Sequence, residues 1–166
     1  MVKRALRAFA LLLIGAAAGL TLHLATATGD TVFSWKRPDN LGLKDGRLAP
    51  CKRTPNCVSS QADPADAEHY VAPIAFKGGA SEALAAARKA VESMQGGTVV
   101  RQEQNYLYAE FRTRIMGYVD DVELAFDQNA SLLHVRSASR LGRRDFGVNR
   151  ARVEAIRSRI EGRIKA

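Results

Sequence analysis

Asp120, Asp121 and Glu123 place three carboxylates in one short run, and residues 136–150 that follow are rich in Arg and Ser. Two chemistries suit this pairing. In the first, the Arg and Ser loop leads into a helix N-terminus and holds an anion, because backbone N–H groups and guanidinium forks both donate to phosphate or carboxylate oxygens. Its candidate ligand-binding residues are Arg136, Ser137, Ser139, Arg140, Asn149 and Arg150, with a lipid headgroup or small anion as occupant. In the second, Asp121 or Glu123 acts as general base while the arginines hold an anionic substrate. A third reading makes the domain a structural partner of another envelope protein. The plainest alternative is a set of cross-strand ion pairs on a solvated sheet, each contributing about 0–1 kcal/mol. The non-enzymatic anion binder is the reading carried forward.

Cys51 and Cys57 are the only cysteines. In an exported chain such a pair forms a disulfide, and Pro55 and Asn56 between them favour the turn that would bring the sulfurs together. So small a ring stabilises by only about 2 kcal/mol, so its role is to pin a loop. The sharper alternative makes Cys57 a nucleophile with His69 as base. No phosphate-binding Gly-rich signature, zinc-ligand spacing or nucleophile elbow occurs in the sequence. No cofactor and no metal are expected, since an arginine beside the acids and the lack of clustered histidines disfavour a transition-metal centre.

The elements that must position these residues are legible from period and punctuation. An extended run covers 70–76, and residues 81–95 place Leu84, Ala87, Val91 and Met94 on one helical face, with Ser81 as candidate N-cap and Gly96 and Gly97 as stop signals. Strands are predicted over 98–103, 106–113, 118–126 and 131–139. Leu107, Ala109 and Phe111 share a face, as do Val122, Leu124 and Phe126, and Leu133 and Val135, while the opposite faces are polar. That predicts one antiparallel sheet with a covered side and a wet side. Setting Phe126 opposite Ser131 aligns the apolar faces and puts Asp121 opposite Arg136, Glu123 opposite His134 and Asp120 opposite Ser137. From about Asn149 an amphipathic helix carries Val153, Ile156, Ile160 and Ile164 and closes the core. The fold class is therefore α+β, an N-terminal membrane segment and then β-α-β-β-β-β-α, one antiparallel sheet covered by helices as in the TATA-binding-protein-like and helix-grip folds.

Lys3, Arg4 and Arg7 precede an uncharged run over 8–29, which is export-signal grammar. As a helix that run would reach roughly 33 Å, enough to cross a hydrocarbon core of about 30 Å, and its length favours a retained anchor. Ala25-Thr26-Ala27 instead has the form of a signal peptidase site. The basic flank keeps the N-terminus cytoplasmic and sends the rest to the periplasm or cell exterior, so the partners are a membrane through 8–29 and an anionic lipid or small anion, with no nucleic acid. The whole chain is +8; without its first thirty residues it keeps 22 basic against 16 acidic residues, near +6, and so prefers anions. The organisation reads as a signal anchor or signal peptide at 1–29, a linker or irregular lead-in at 30–50, and one domain at 51–166.

Leu48-Ala49-Pro50-Cys51 with Pro55-Asn56-Cys57-Val58-Ser59-Ser60, then Asp120-Asp121-Val122-Glu123, then Arg136-Ser137-Ala138-Ser139-Arg140 with Asp145-Phe146-Gly147-Val148-Asn149-Arg150 together resemble the family known as domain of unknown function 1499. The resemblance spans most of 42–166, and Lys52 stands where the family often has proline. It implies a common fold and an exported or membrane-associated setting in bacteria. It supplies no activity, cofactor or catalytic residue.

Overall fold

The structure, a computed structural model, describes residues 36–164, so the apolar run at 8–29 lies outside the described residues. The chain divides into two units at 34/35, and the second is an α+β domain. Its elements are β1 (Cys57–Ser59), β2 (Ile74–Ala75), α1 (Ala80–Glu92), β3 (Gly97–Gln102), β4 (Tyr106–Arg112), β5 (Val119–Asp127), β6 (Leu132–Ser139) and α2 (Val148–Ile164). They form one six-stranded antiparallel sheet, ordered β1-β6-β5-β4-β3, with β2 also pairing with β6. Among the described residues no helix is long and apolar enough to cross a membrane.

The alternation of apolar residues positions the helices. Leu107, Ala109, Phe111, Val122, Leu124, Phe126, Leu133 and Val135 all face one side and bury there against Leu84, Ala87 and Val91 of α1 and Val153, Ile156 and Ile160 of α2. Each aliphatic side chain so enclosed contributes about 1.5–3 kcal/mol. The first helix begins one residue earlier than the sequence predicts. Its N-cap is Gly79, whose N–H donates to Glu82 Oε2 at 3.0 Å, and Ser81 lies inside the helix. The helix ends at Glu92 with Ser93 as C-cap, short of the expected stop at Gly96; Gly96 instead turns the chain into β3 at φ +78, where a Cβ would stand 2.3 Å from the Arg112 carbonyl oxygen, so only glycine fits.

Two sheet expectations need correction. The β5–β6 register is offset by two residues: Phe126 pairs with Leu133, Glu123 with Arg136, Asp121 with Ala138 and Asp120 with Ser139. A shift of two keeps every side chain on its expected face, so apolar alternation cannot distinguish the two registers. Turn chemistry decides instead. The Asp127 carboxylate accepts the N–H groups of Asn129 and Ala130, and Ser131 takes the left-handed conformation at φ 53.

The expected wet side is also covered. Leu48 packs on Tyr106, Tyr108 and Ala125, with Leu41 and Leu43 against them, and Asp121, Glu123 and Arg136 lie buried beneath. The cover is irregular backbone leading into the domain, so residues 36–50 pack as part of it. Gly42 crosses the sheet at φ +115 and donates its N–H to Glu123 Oε1 at 2.8 Å, while Leu48 N–H donates to Gln61 Oε1 at 2.8 Å. The polar alternation of β4 and β5 marks a face buried against chain that makes its own hydrogen bonds, not one open to water.

Candidate functional site

On this second face β4 contributes Tyr106, Tyr108 and Glu110, β5 contributes Asp121 and Glu123, and β6 with its extension contributes Arg136 and Arg140. The period of two puts them on one face, and the strand register sets them side by side. Glu123, fully buried, accepts from the Tyr106 hydroxyl at 2.7 Å and from Arg136 Nη1 at 2.8 Å, besides Gly42. Asp121 accepts from Tyr108 Oη at 2.7 Å and from Arg140 through Nε and Nη2 at 2.8–3.1 Å. Glu110 accepts from Arg37 at 2.7 and 2.9 Å and from Arg140 Nη2 at 2.6 Å. Arg37 and Arg101 stack over the rings of Tyr108 and Tyr106, at 5.4 and 5.2 Å to the centroids.

The electrostatics follow from these contacts. Burial works to raise the Glu110 pKa, but hydrogen bonds from Arg37, Tyr108 and Arg140 outweigh it and bring it down to about 2. Burial, with Asp121 and Glu110 beside it, pushes the Tyr108 hydroxyl up; burial and Glu123 do the same to Tyr106. Both tyrosines therefore stay protonated and act as donors. Burial opposes the charge on Arg140, yet Asp121 and Glu110 reverse its effect and raise its pKa.

Beside this network lies a cavity of about 530 Å³, between the lead-in, the disulfide loop and the end of β6. Arg136, Ser139 and Arg140 line it, with Lys36, Lys52 and Asn56 on its walls. Arg136 is buried, and its Nε, enclosed from solvent, has no hydrogen-bond partner among the described residues. Asp39 and Asp121 also line the cavity, and the charge of Asp121 is matched by Arg140. The arrangement can present guanidinium and ammonium donors to an oxyanion.

The structure separates the rest of the sequence-predicted cradle. Ser137 Oγ donates to Asn149 Oδ1 at 2.6 Å, and Asn149 Nδ2 donates to the Asn56 carbonyl at 3.0 Å and to Ser139 Oγ at 2.9 Å. Arg152 joins them and pairs with Asp120 while stacking over Phe111 at 4.8 Å. Ser137 and Asn149 therefore fasten α2 to the sheet. Asp145, whose carboxylate accepts the Asn149 N–H at 2.8 Å, caps the same helix. Arg150 donates to the backbone carbonyls of Tyr70, Ala67 and Glu68 at 2.7–3.2 Å and clamps the loop before β2. Its acceptors are not those of Arg140. Asp121 is not the partner of Arg136, which pairs with Glu123, and these carboxylates have their oxygens committed to donors.

Cys51 and Cys57 form the disulfide, with S–S 2.04 Å and Cα–Cα 5.6 Å. A cysteine so oxidised is no nucleophile, and His69 bonds Asp66 at 2.8 Å instead. Among the described residues no group of three or more His, Cys, Asp or Glu is arranged to hold a metal ion. The profile of the family described as "Protein of unknown function (DUF1499)" matches residues 47–160.

The chain belongs to the DUF1499 family. No curated protein matches it significantly, and no solved structure does. The matched span of the DUF1499 domain contains the disulfide, the β5 carboxylates and both cavity arginines, whereas Lys36 and Arg37 precede it. Sequence reasoning missed Tyr106, Tyr108, Glu110, Lys36 and Lys52. The first three carry a faint signal. Tyr-x-Tyr-x-Glu alternates against Leu107, Ala109 and Phe111, and two tyrosines in register on a nominally polar face suggest a half-buried surface.

Proposed function

We propose that this DUF1499 domain is a non-enzymatic binding module of the cell envelope that takes a small oxyanion, free or as a lipid headgroup, in the cavity beside Arg136. The observation that carries the reading is a cavity wall that brings Arg136, Arg140, Lys36 and Lys52 together, the buried Arg136 having an Nε without a partner among the described residues. Buried N–H groups are rarely left without an acceptor, and leaving one so costs about 1–3 kcal/mol, so a bound oxygen is the natural complement. A guanidinium suits phosphate or carboxylate because its donors lie in one plane.

The apolar run at 8–29 supports a membrane-anchored setting with the domain facing the periplasm or the outside, and the disulfide supports an oxidising compartment. Two helices on one face of an antiparallel sheet support kinship of form with the TATA-binding-protein-like and helix-grip folds, which says nothing about function. The general-base alternative loses support from the burial of Asp121 and Glu123 and from the donors already occupying their oxygens.

The test is nitrogen-15 NMR of the arginine Nε–H groups in the full chain, titrated with inorganic phosphate and separately with glycerol phosphate. Binding should move the Arg136 Nε–H resonance, and Lys52→Ala and Lys36→Ala should weaken it several-fold without loss of fold. Stronger binding of glycerol phosphate points to a headgroup, and equal binding to a free anion. An Arg136 resonance that neither compound moves at saturation would sink the proposal.

A further inference from the structure

Six large hydrophobic residues are exposed among the described residues, and five of them gather at one end of the domain. Ile115, 92% exposed, Met116 and Tyr118 stand on the turn between β4 and β5; Phe146, 95% exposed, and Val148 stand where the last loop enters α2. Ile115, Met116, Tyr118 and Val148 line one apolar groove of about 590 Å³, so the two segments are neighbours. Scattered single apolar residues mean little, but a contiguous patch marks an interaction surface.

Both segments are built to hold these side chains outward. On the turn, Thr113 Oγ1 accepts the Tyr118 N–H at 2.9 Å, and the Gly117 N–H donates to the Thr113 carbonyl at 3.1 Å. Phe146 sits at φ 55, an uncommon conformation for a bulky side chain. Asp145 brackets it, accepting the N–H groups of Gly147 at 3.2 Å and Asn149 at 2.8 Å. The backbone is thus fixed on both sides of an aromatic ring left exposed among the described residues.

Charge identifies the occupant. Arg112 and Arg114 flank the turn, Arg143 and Arg144 precede Phe146, and all four are exposed. Among the described residues no carboxylate lines the groove. Exposed apolar side chains flanked by exposed arginines match an anionic bilayer, whose phosphates lie above its acyl chains, so that guanidinium groups and apolar side chains each have a complement there. We infer that the end of the domain formed by Ile115, Met116, Phe146 and Val148, ringed by Arg112, Arg114, Arg143 and Arg144, docks on an anionic lipid surface and inserts its apolar tips. This surface is separate from the Arg136 cavity and does not depend on it.

Trp35 is the only tryptophan, so a Trp35→Phe background carrying Phe146→Trp, Ile115→Trp or, as a control at the opposite end of the sheet, Gln104→Trp reports each position in the full chain. The chain is mixed with vesicles of phosphatidylcholine alone or with phosphatidylglycerol added, and quenching by brominated acyl chains is read. This readout is local and separates docking of this face from any hold exerted by the N-terminal run. Blue-shifted, quenched emission at 146 and 115 on the phosphatidylglycerol vesicles, with Gln104→Trp still water-exposed, is the expected result. Arg143→Gln and Arg144→Gln should each reduce the quenched fraction's apparent affinity about fivefold, while Lys52→Ala leaves it in place. The inference is overturned if emission at 146 and 115 stays water-like while the chain is vesicle-bound, or if quenching is equal at all three positions. It is equally overturned if the blue shift arises without lipid and grows with protein concentration, which would assign the patch to self-association, or if it arises only with an acidic peptide.

Discussion

Glu123→Ala removes the acceptor of Arg136 Nη1, and with it the acceptor of the Tyr106 hydroxyl and of the Gly42 N–H. The ion pair is 2.8 Å long, and its side chains are 7% and 0% exposed. Stranding one member of a pair so enclosed costs about 3–5 kcal/mol, and the two neutral donors left behind push this variant toward the upper end. Arg136→Met strands Glu123 less severely, because Tyr106 and Gly42 still donate to it, and about 2–4 kcal/mol is expected. Glu123→Leu with Arg136→Met removes both charges and should cost less than the sum of the single changes. The cycle built on Leu and Met therefore shows a coupling of at least about 2 kcal/mol in urea unfolding of the full chain followed by circular dichroism. A coupling under about 1 kcal/mol is the signature of a solvated pair. It would mean that the lead-in segment does not seal this face, and the burial argument would fail with it.

Two further outcomes follow from particular contacts. Glu110 has a folded pKa of about 2 against an ordinary 4.5, so the stability it contributes is present above pH 4.5 and is lost as pH falls toward 2. Because its side chain keeps some solvent contact (16% exposed), the contribution is discounted to roughly 1–2 kcal/mol. Glu110→Gln should flatten the dependence of the urea midpoint on pH across that window, and an unchanged slope would refute the assignment. Arg150→Lys keeps the charge but loses the fork that holds three carbonyls, so it should lower the melting temperature by several degrees and leave phosphate binding at Arg136 intact. Unchanged melting with weakened phosphate binding would instead return Arg150 to the anion site.

Much of the candidate site was legible one residue type at a time, and little of it as a constellation. Arg136, Arg140 and the β5 carboxylates stand out because charge is dense there. Their pairing is not legible, because a two-residue slip conserves faces, and Glu123 rather than Asp121 meets Arg136. Arg150 and Asn149 look like cradle residues beside a helix start, yet the carbonyls and hydroxyls that absorb them belong to residues 67–70, Asn56 and Ser139, far away in sequence except the last. Lys36 and Lys52 carry no local signal, since each is an exposed cation in an irregular stretch until the fold places it on the cavity wall.

The sequence alone determined what period and punctuation encode: the α+β class, the two helices, the four long strands to within about two residues, the apolar face that the helices cover, and the family. Those features depend on neighbours two to four positions apart, a range over which side-chain type is enough. Only the tertiary structure decided the short first strand Cys57–Ser59, the offset between β5 and β6, and the fate of the second face. Each depends on a long-range choice among partners of similar local merit. A strand of three residues has no period to detect. Two registers share one alternation, and a Tyr or Glu facing outward looks the same under water as under a strap of chain that supplies its own donors.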